Sequence, residues 1–229
     1  MSGGKKPNKT RVNRLVLNMF TRLETGIMLV CLVLGLLALA ILVYTLWPSA
    51  RQTQKITIAE RVFEEAGLVK ADAGSYPFVE VDTPVSARLG DVSNMQARLN
   101  MAGMSAQSDE NIVADFYLDM NGCKTSPDGN ILYPILGEYP AQATWQFVPF
   151  NTGLLSGTIW IHLQVVPSSE ETRQYLVMAY PFDVETNAIA GVPVGVARII
   201  CIAVVVLSVI MLLSFTLHAW VLASKHKKI

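Results

Sequence analysis

Two long apolar runs stand out from an otherwise mixed chain. The first, Gly26 to Trp47, has 22 residues and the second, Ile199 to Ser224, has 26, and neither contains Asp, Glu, Lys or Arg. At a helical rise of about 1.5 Å per residue, both can cross a hydrocarbon layer of about 30 Å. A lone apolar segment must be helical there, because it has to satisfy its own backbone hydrogen bonds. The pattern therefore predicts two transmembrane helices.

Between these runs the pattern changes to alternation. From Thr158 to Val166 every second residue is aliphatic, and Trp, His and Gln stand between them. A period of two is typical of a half-buried strand. The same alternation recurs in Tyr76–Val85, Ile112–Met120, Ala143–Phe150 and Arg173–Val184. We predict a membrane-anchored all-β protein, in which two transmembrane α-helices flank an antiparallel, β-sandwich-like extracytoplasmic domain.

Three other segments have patterns of their own. Ile58–Val69 is spaced like a short amphipathic helix, whereas Ser93–Gln107 fits a strand or a helix equally well. Ahead of the first run, an apolar stripe recurs every three or four residues, at Val12, Leu15, Met19 and Leu23. Arginines lie beside this stripe. The segment is therefore either a helix that binds anionic lipid at the cytoplasmic leaflet or docks into a partner's groove, or a plain basic flank.

The net charge of zero, with 18 basic and 18 acidic residues, hides a segregation along the chain. Residues 1–25 carry a net charge of +5 and the tail after Ser224 carries +3. Residues 48–192 hold 8 basic and 17 acidic side chains, a net charge of −9. Because Lys and Arg that flank a span stay in the cytoplasm, both termini are expected there and the acidic middle outside.

These observations give an order of segments along the chain. The expected organisation is a basic amphipathic segment at 1–25, the first helix at 26–47, the β-rich domain at 48–192, a segment that enters the membrane together with the second helix at 193–224, and a basic tail at 225–229. The first run is longer than the apolar core of a signal peptide and lacks a good cleavage site after it, so we expect it to be retained.

Cysteine usage indicates the compartment. Cys123 is the sole cysteine between the two runs, so the central segment has no internal disulfide, and it also lacks an Asn-x-Ser/Thr acceptor. Secreted eukaryotic domains commonly carry such features. The simplest location is a bacterial inner membrane with the domain in the periplasm.

Candidate catalytic and metal-binding residues are few. His162 and Cys123 are too few for a zinc site, and Ser156 lies in a run, Gly153 to Gly157, that misses the G-x-S-x-G spacing of a nucleophile elbow. Phosphate-binding loops are missing, and the acidic domain would repel nucleic acid. We therefore expect no catalytic, cofactor-binding or metal-binding residue in this chain.

Two groups leave alternatives open. The paired acids Asp115 and Asp119, Asp109-Glu110 and Glu170-Glu171 could bind a cation or hydrolyse glycosides, but a domain of this charge is expected to carry many solvated acids. His218 falls near the inner end of the second helix, where a neutral histidine is tolerated, although a histidine in a membrane helix can also ligate haem or pigment.

The functional expectation follows from this architecture. We expect a non-catalytic accessory subunit of a larger integral-membrane complex, respiratory or photosynthetic for example, because the segments expected in the cytoplasm are short and the helices lack intramembrane acids. Expected partners are other integral-membrane subunits, anionic lipid and a basic soluble extracytoplasmic protein. The alternatives are a ligand-binding sensor that acts laterally on another membrane protein and a membrane-tethered hydrolase that uses carboxylates.

Overall fold

The computed structural model describes residues 9–70, 76–101, 104–106, 111–135, 139–166 and 172–226. The chain divides into two compact units, one made of Met1–Trp47 with Val196–Ile229 and the other of Pro48–Gly195. The elements of the described residues are α1 (Lys9–Leu46), β1 (Arg51–Thr57), α2 (Glu60–Glu65), β2 (Leu68–Lys70), β3 (Phe78–Pro84), β4 (Ser86–Arg88), β5 (Ser93–Asn100), β6 (Met104–Ala106), β7 (Asn111–Met120), β8 (Cys123–Ser126), β9 (Ile131–Pro134), β10 (Ala141–Pro149), β11 (Gly153–Val166), β12 (Arg173–Asn187) and α3 (Val194–His226).

The unit Pro48–Gly195 is mostly β-sheet. One five-stranded sheet has the order β1-β3-β5-β10-β8, a second has the order β4-β12-β11-β7-β9, and β2 pairs with β6. The inward positions of both large sheets form one hydrophobic core, and Trp145 on β10 is its largest fully buried side chain. The prediction of a mainly β domain with two sheets is therefore correct.

The two large sheets are connected by a strand that changes sheet. β3 belongs to the first sheet, and after Val85 the chain continues as β4, which pairs with β12 in the second sheet. This β4–β12 pair is parallel. The expectation of a purely antiparallel domain is therefore wrong at this edge. β4 continues directly from β3 across the corner of the sandwich, so the direction of β3 decides the direction in which β4 pairs with β12.

The ambiguous segments are resolved by the structure. Ser93–Gln107 supplies strands β5 and β6, and the short helix expected within Ile58–Val69 is α2. β1 was not predicted from the sequence because its residues, RQTQKIT, show no alternation of apolar and polar side chains. It is an edge strand beside β3 and is almost fully exposed, so its polar side chains protect the edge from further pairing.

The other unit consists of two long helices. Thr25–Leu46 in α1 and Val194–His218 in α3 are long and apolar enough to cross a membrane, with mean hydropathies of 3.1 and 3.0. The basic segment that precedes the first run is helical from Lys9 onward and continuous with it. Its first eight residues, like Lys227 and Lys228 of the tail, lie outside the described residues.

Small side chains let the two helices approach each other. From Thr25 onward, shielded positions of α1 recur every three or four residues, at Met28, Cys31, Gly35, Ala38, Leu42 and Thr45, and Ile41 is shielded as well. This spacing is the seam of a left-handed helix pair. A Cβ atom added to Gly35 would lie 3.1 Å from the Cβ of Ser208 on α3, and Ala38 and Ser208 are both buried.

Arg198 of α3 closes the end of α1. Its Nη2 donates to the backbone oxygen of Thr45 at 2.8 Å, and Thr45 is fully buried one residue before α1 ends. The last carbonyl groups of a helix have no partner within the helix and carry partial negative charge, so a guanidinium is a favourable cap. Arg198 supplies the one positive charge that lies outside the basic termini and the acidic middle segment. This contact gives it a structural role.

Candidate functional site

The outer surface of the second sheet, which faces away from the core, carries the most unusual polar group of the domain. Antiparallel pairing places His162 of β11 directly between Asp115 of β7 and Leu176 of β12. The next rows along β11 are Trp160 beside Tyr117, and Gln164 beside Gln174. We call the following group the Asp115 patch: Asp115, Asn130, Trp160, His162, Gln164 and Gln174.

Asp115 is buried although it points away from the core. Its side chain is 1% exposed, whereas Asp119, which lies four residues further along on the same side of β7, is exposed. Side-chain amides cover it, because Asn130 and Gln164 donate to its Oδ2 at 2.9 and 2.8 Å. Gln174 donates to the same oxygen at 3.5 Å. The interpretation of Asp115 as a solvated surface acid is therefore wrong.

The second carboxylate oxygen of Asp115 is not satisfied. Among the described residues, no hydrogen-bond partner reaches Oδ1, which is itself buried. The three amides on Oδ2 are neutral, so the carboxylate has no cationic partner in the described part of the chain. A buried acceptor without a donor costs about 1–3 kcal/mol, which makes this oxygen an unusual feature of a folded domain.

An aromatic pair lies beside this carboxylate. The rings of Trp160 and His162 are stacked, with centroids 6.4 Å apart and an angle of 6° between their planes. Both side chains are partly exposed, as expected for His162 from its position on the strand. A β-bulge at Val177 of β12, opposite Ile161 and His162, keeps Leu176 and Ala179 on the outer surface.

The other acids whose positions the structure describes do not form a comparable site. Asp119 and Asp183 line a shallow groove of about 400 Å³, where Ser156 donates to Asp183 Oδ1 at 2.6 Å, and both acids are exposed. Gly157 also lines this groove, and a Cβ there would lie 2.6 Å from Cζ of Phe182. The acidic pairs Asp109-Glu110 and Glu170-Glu171 lie outside the described residues.

The remaining candidate residues are Cys123 and His218. Cys123 is half-buried and free, and burial raises the pKa of its thiol, which makes it less reactive. Burial also raises the pKa of the Tyr180 phenol. His218 is exposed on α3. Across the described ranges, no group of three or more His, Cys, Asp or Glu residues could hold a metal ion.

Comparison with known proteins adds little. No protein-family model and no curated protein sequence matches the chain. Among solved structures, the PapD-like domain 7 of human CEP192 aligns with a TM-score of 0.32 and 10% identity, covering 48% of this chain and 86% of that domain. WR4, an MSP family member of C. elegans, aligns with a TM-score of 0.25 and 12% identity, covering 46% of this chain and 94% of that protein.

A third structure, a family 123 glycoside hydrolase from Clostridium perfringens, aligns with a TM-score of 0.22 and 12% identity. The alignment covers 62% of this chain and 28% of the hydrolase. Similarities at this level carry no argument about activity or partners.

Proposed function

We propose that this protein is a non-catalytic subunit of a larger integral-membrane complex in a bacterial inner membrane. In this proposal α1 and α3 span the bilayer as a helical hairpin, both termini are cytoplasmic, and the acidic β domain stands in the periplasm. The helices bind other membrane subunits, and the six basic residues before the first span bind anionic lipid.

One observation supports the subunit role above the others. A groove of about 590 Å³ runs along α3, away from the residues of the hairpin seam. It is lined by Ile210, Leu213, Ser214, Thr216, Leu217 and Trp220. The described lining residues are largely apolar, include two hydroxyl groups and carry no charge.

The groove is suited to a helix of another subunit. Ser214 and Thr216 donate their hydroxyl groups to Ile210 O and Leu213 O of the same helix, each at 2.8 Å. Because both hydroxyls are already satisfied, a partner can bury them without leaving a donor unpaired. Small hydroxylated residues also let a second helix approach closely, which is the usual basis of helix association in membranes.

The charge of the β domain supports a soluble partner as well. Residues 48–192 carry a net charge of −9, and such a surface attracts basic proteins at low ionic strength. We include a basic periplasmic protein among the partners. Its binding to the complex should weaken as salt is added.

The test is photocrosslinking in the native membrane. A photoreactive amino acid is placed at Leu213, inside the groove, or at Leu207, outside it; these leucines are 63% and 61% exposed and form a matched pair. We expect Leu213 to give one discrete adduct with another integral-membrane protein, and Leu207 to give little. Purification in mild detergent should recover the same partner. Protein adducts at neither position, together with a lone small species in detergent, would contradict the proposal.

A further inference from the structure

The Asp115 patch has the properties of a recognition site. Asp115 Oδ1 is buried and has no partner in the described part of the chain, while Oδ2 accepts from the amides of Asn130, Gln164 and Gln174. Those three amides hold the carboxylate in one orientation. Each of these amides also carries a carbonyl oxygen that can accept a hydrogen bond. Within the described ranges, no cationic side chain bonds to this carboxylate.

We propose that this patch binds a guanidinium group, the side chain of an arginine on a partner protein. A guanidinium offers several donors in one plane, which can satisfy Oδ1 and a neighbouring amide oxygen together. It also stacks on aromatic rings, and the parallel, partly exposed rings of Trp160 and His162 offer ring faces in the rows next to the carboxylate. An ammonium group has no plane to match this arrangement, so arginine is preferred to lysine.

The surroundings favour a protein partner over a free small cation. Tyr117 lies in the row beside Trp160 and Leu176 in the row beside His162, and these side chains are 38% and 49% exposed. An arginine that is buried at the centre of a partly apolar interface is a common anchor of protein–protein binding. The net charge of −9 across residues 48–192 draws a basic partner toward this domain.

Gln174 provides the way in. Its bond to Asp115 is the longest of the three, at 3.5 Å, and the residue is exposed at the rim of the patch. A bond of this length is weak, so rotation of Gln174 costs little and gives an incoming guanidinium access to the carboxylate. The bonds from Asn130 and Gln164 remain and keep the carboxylate in place. This inference concerns the β domain and does not depend on the proposed membrane complex.

The test uses the full chain in lipid nanodiscs and follows its four indole N–H signals by NMR. The probe is N-acetyl-arginine amide, and the controls are the citrulline analogue, which has the same shape without charge, and the lysine analogue. We expect a saturable shift of the Trp160 signal with the arginine probe. Trp145, which is 0% exposed in the core, serves as the internal reference and should not shift. Absence of a saturable Trp160 shift, or equal shifts with citrulline or lysine, would overturn the proposal.

Two variants separate the site from general charge attraction. Asp115→Asn and Asp119→Asn remove the same charge from the same side of β7. We expect the first to weaken binding of the arginine probe at least about tenfold and the second to leave it within about twofold. Equal losses of affinity would show that the probe is attracted only by the overall charge of the domain, and would overturn the proposed site. If Asp115→Asn does not fold, Gln174→Ala takes its place: it should strengthen binding by opening the carboxylate, and weaker binding would contradict the proposal.

Discussion

At the scale of single residues, sequence and structure differ most at Asp115. Asp115 and Asp119 occupy equivalent positions in the alternating pattern of β7, and nothing local distinguishes them. The structure distinguishes them because Asn130, Gln164 and Gln174, from three other segments, converge on the first and not on the second. A sequence pattern reports the side of a strand on which a residue lies. It does not report which distant amides meet there.

Removal of the Asp115 carboxylate should destabilise the β domain. Asp115→Ala removes two short hydrogen bonds to a charged acceptor, together about 3–6 kcal/mol, and it also removes the unpaired Oδ1, a relief of about 1–3 kcal/mol. We therefore expect the free energy of unfolding to fall by about 1–3 kcal/mol. Asp119→Ala, on the exposed part of the same strand, should change it by no more than about 0.5 kcal/mol. Denaturant unfolding followed by the near-UV signal of the core tryptophan measures both, and equal effects would refute the structural role of Asp115.

The thiol of Cys123 should be slow to react. Because burial raises its pKa, less thiolate is present at a given pH, and thiolate is the form that is alkylated. In a protein with Cys31→Ala and Cys201→Ala, we expect slower iodoacetamide alkylation at pH 8 than for a cysteine at exposed Ser126 of the same strand. The rate at Cys123 should continue to rise at pH values where the rate at position 126 has levelled. Equal rates at pH 8 would contradict the effect of burial.

At the scale of elements, a strand could be predicted from the sequence where one of its sides is buried in the core. The long strands β7, β10, β11 and β12 alternate, apart from the bulge in β12, because one side of each packs on the core. Each was predicted from the sequence with its ends displaced by a few residues. β1 was missed because both of its sides are solvated. The parallel β4–β12 pair depends on where β3 leaves its sheet, which is a tertiary property that periodicity does not contain.

The helix pair makes a prediction at the same scale. In a protein without its native cysteines, Gly35→Cys combined with Ser208→Cys should form an intramolecular disulfide on oxidation, because the Cβ atoms of these positions face each other closely. Leu34→Cys with Ser208→Cys is the control, since Leu34 is 49% exposed and outside the seam. A gel-mobility shift that is reversed by reductant reports the bond. Similar yields for both pairs would rule out the seam.

At the scale of the whole molecule, the segregation of hydropathy along the chain predicted two apolar helices around a β-rich segment, and the structure has both. Composition predicted classes of partner but not the surfaces that would bind them. The groove on α3 and the unpartnered oxygen of Asp115 depend on side chains that come together only in the folded chain. The functional proposals therefore rest on these contacts and on the sidedness that the charge distribution predicts.

Sidedness is tested most directly by cysteine labelling in intact bacteria that express a variant without native cysteines. One cysteine replaces Leu154, which is 67% exposed on β11, and in a second variant one replaces Lys225 in the C-terminal tail. We predict that a membrane-impermeant maleimide labels position 154 in intact cells and position 225 only after permeabilisation. Labelling of position 225 in intact cells, with position 154 protected until permeabilisation, would contradict the account.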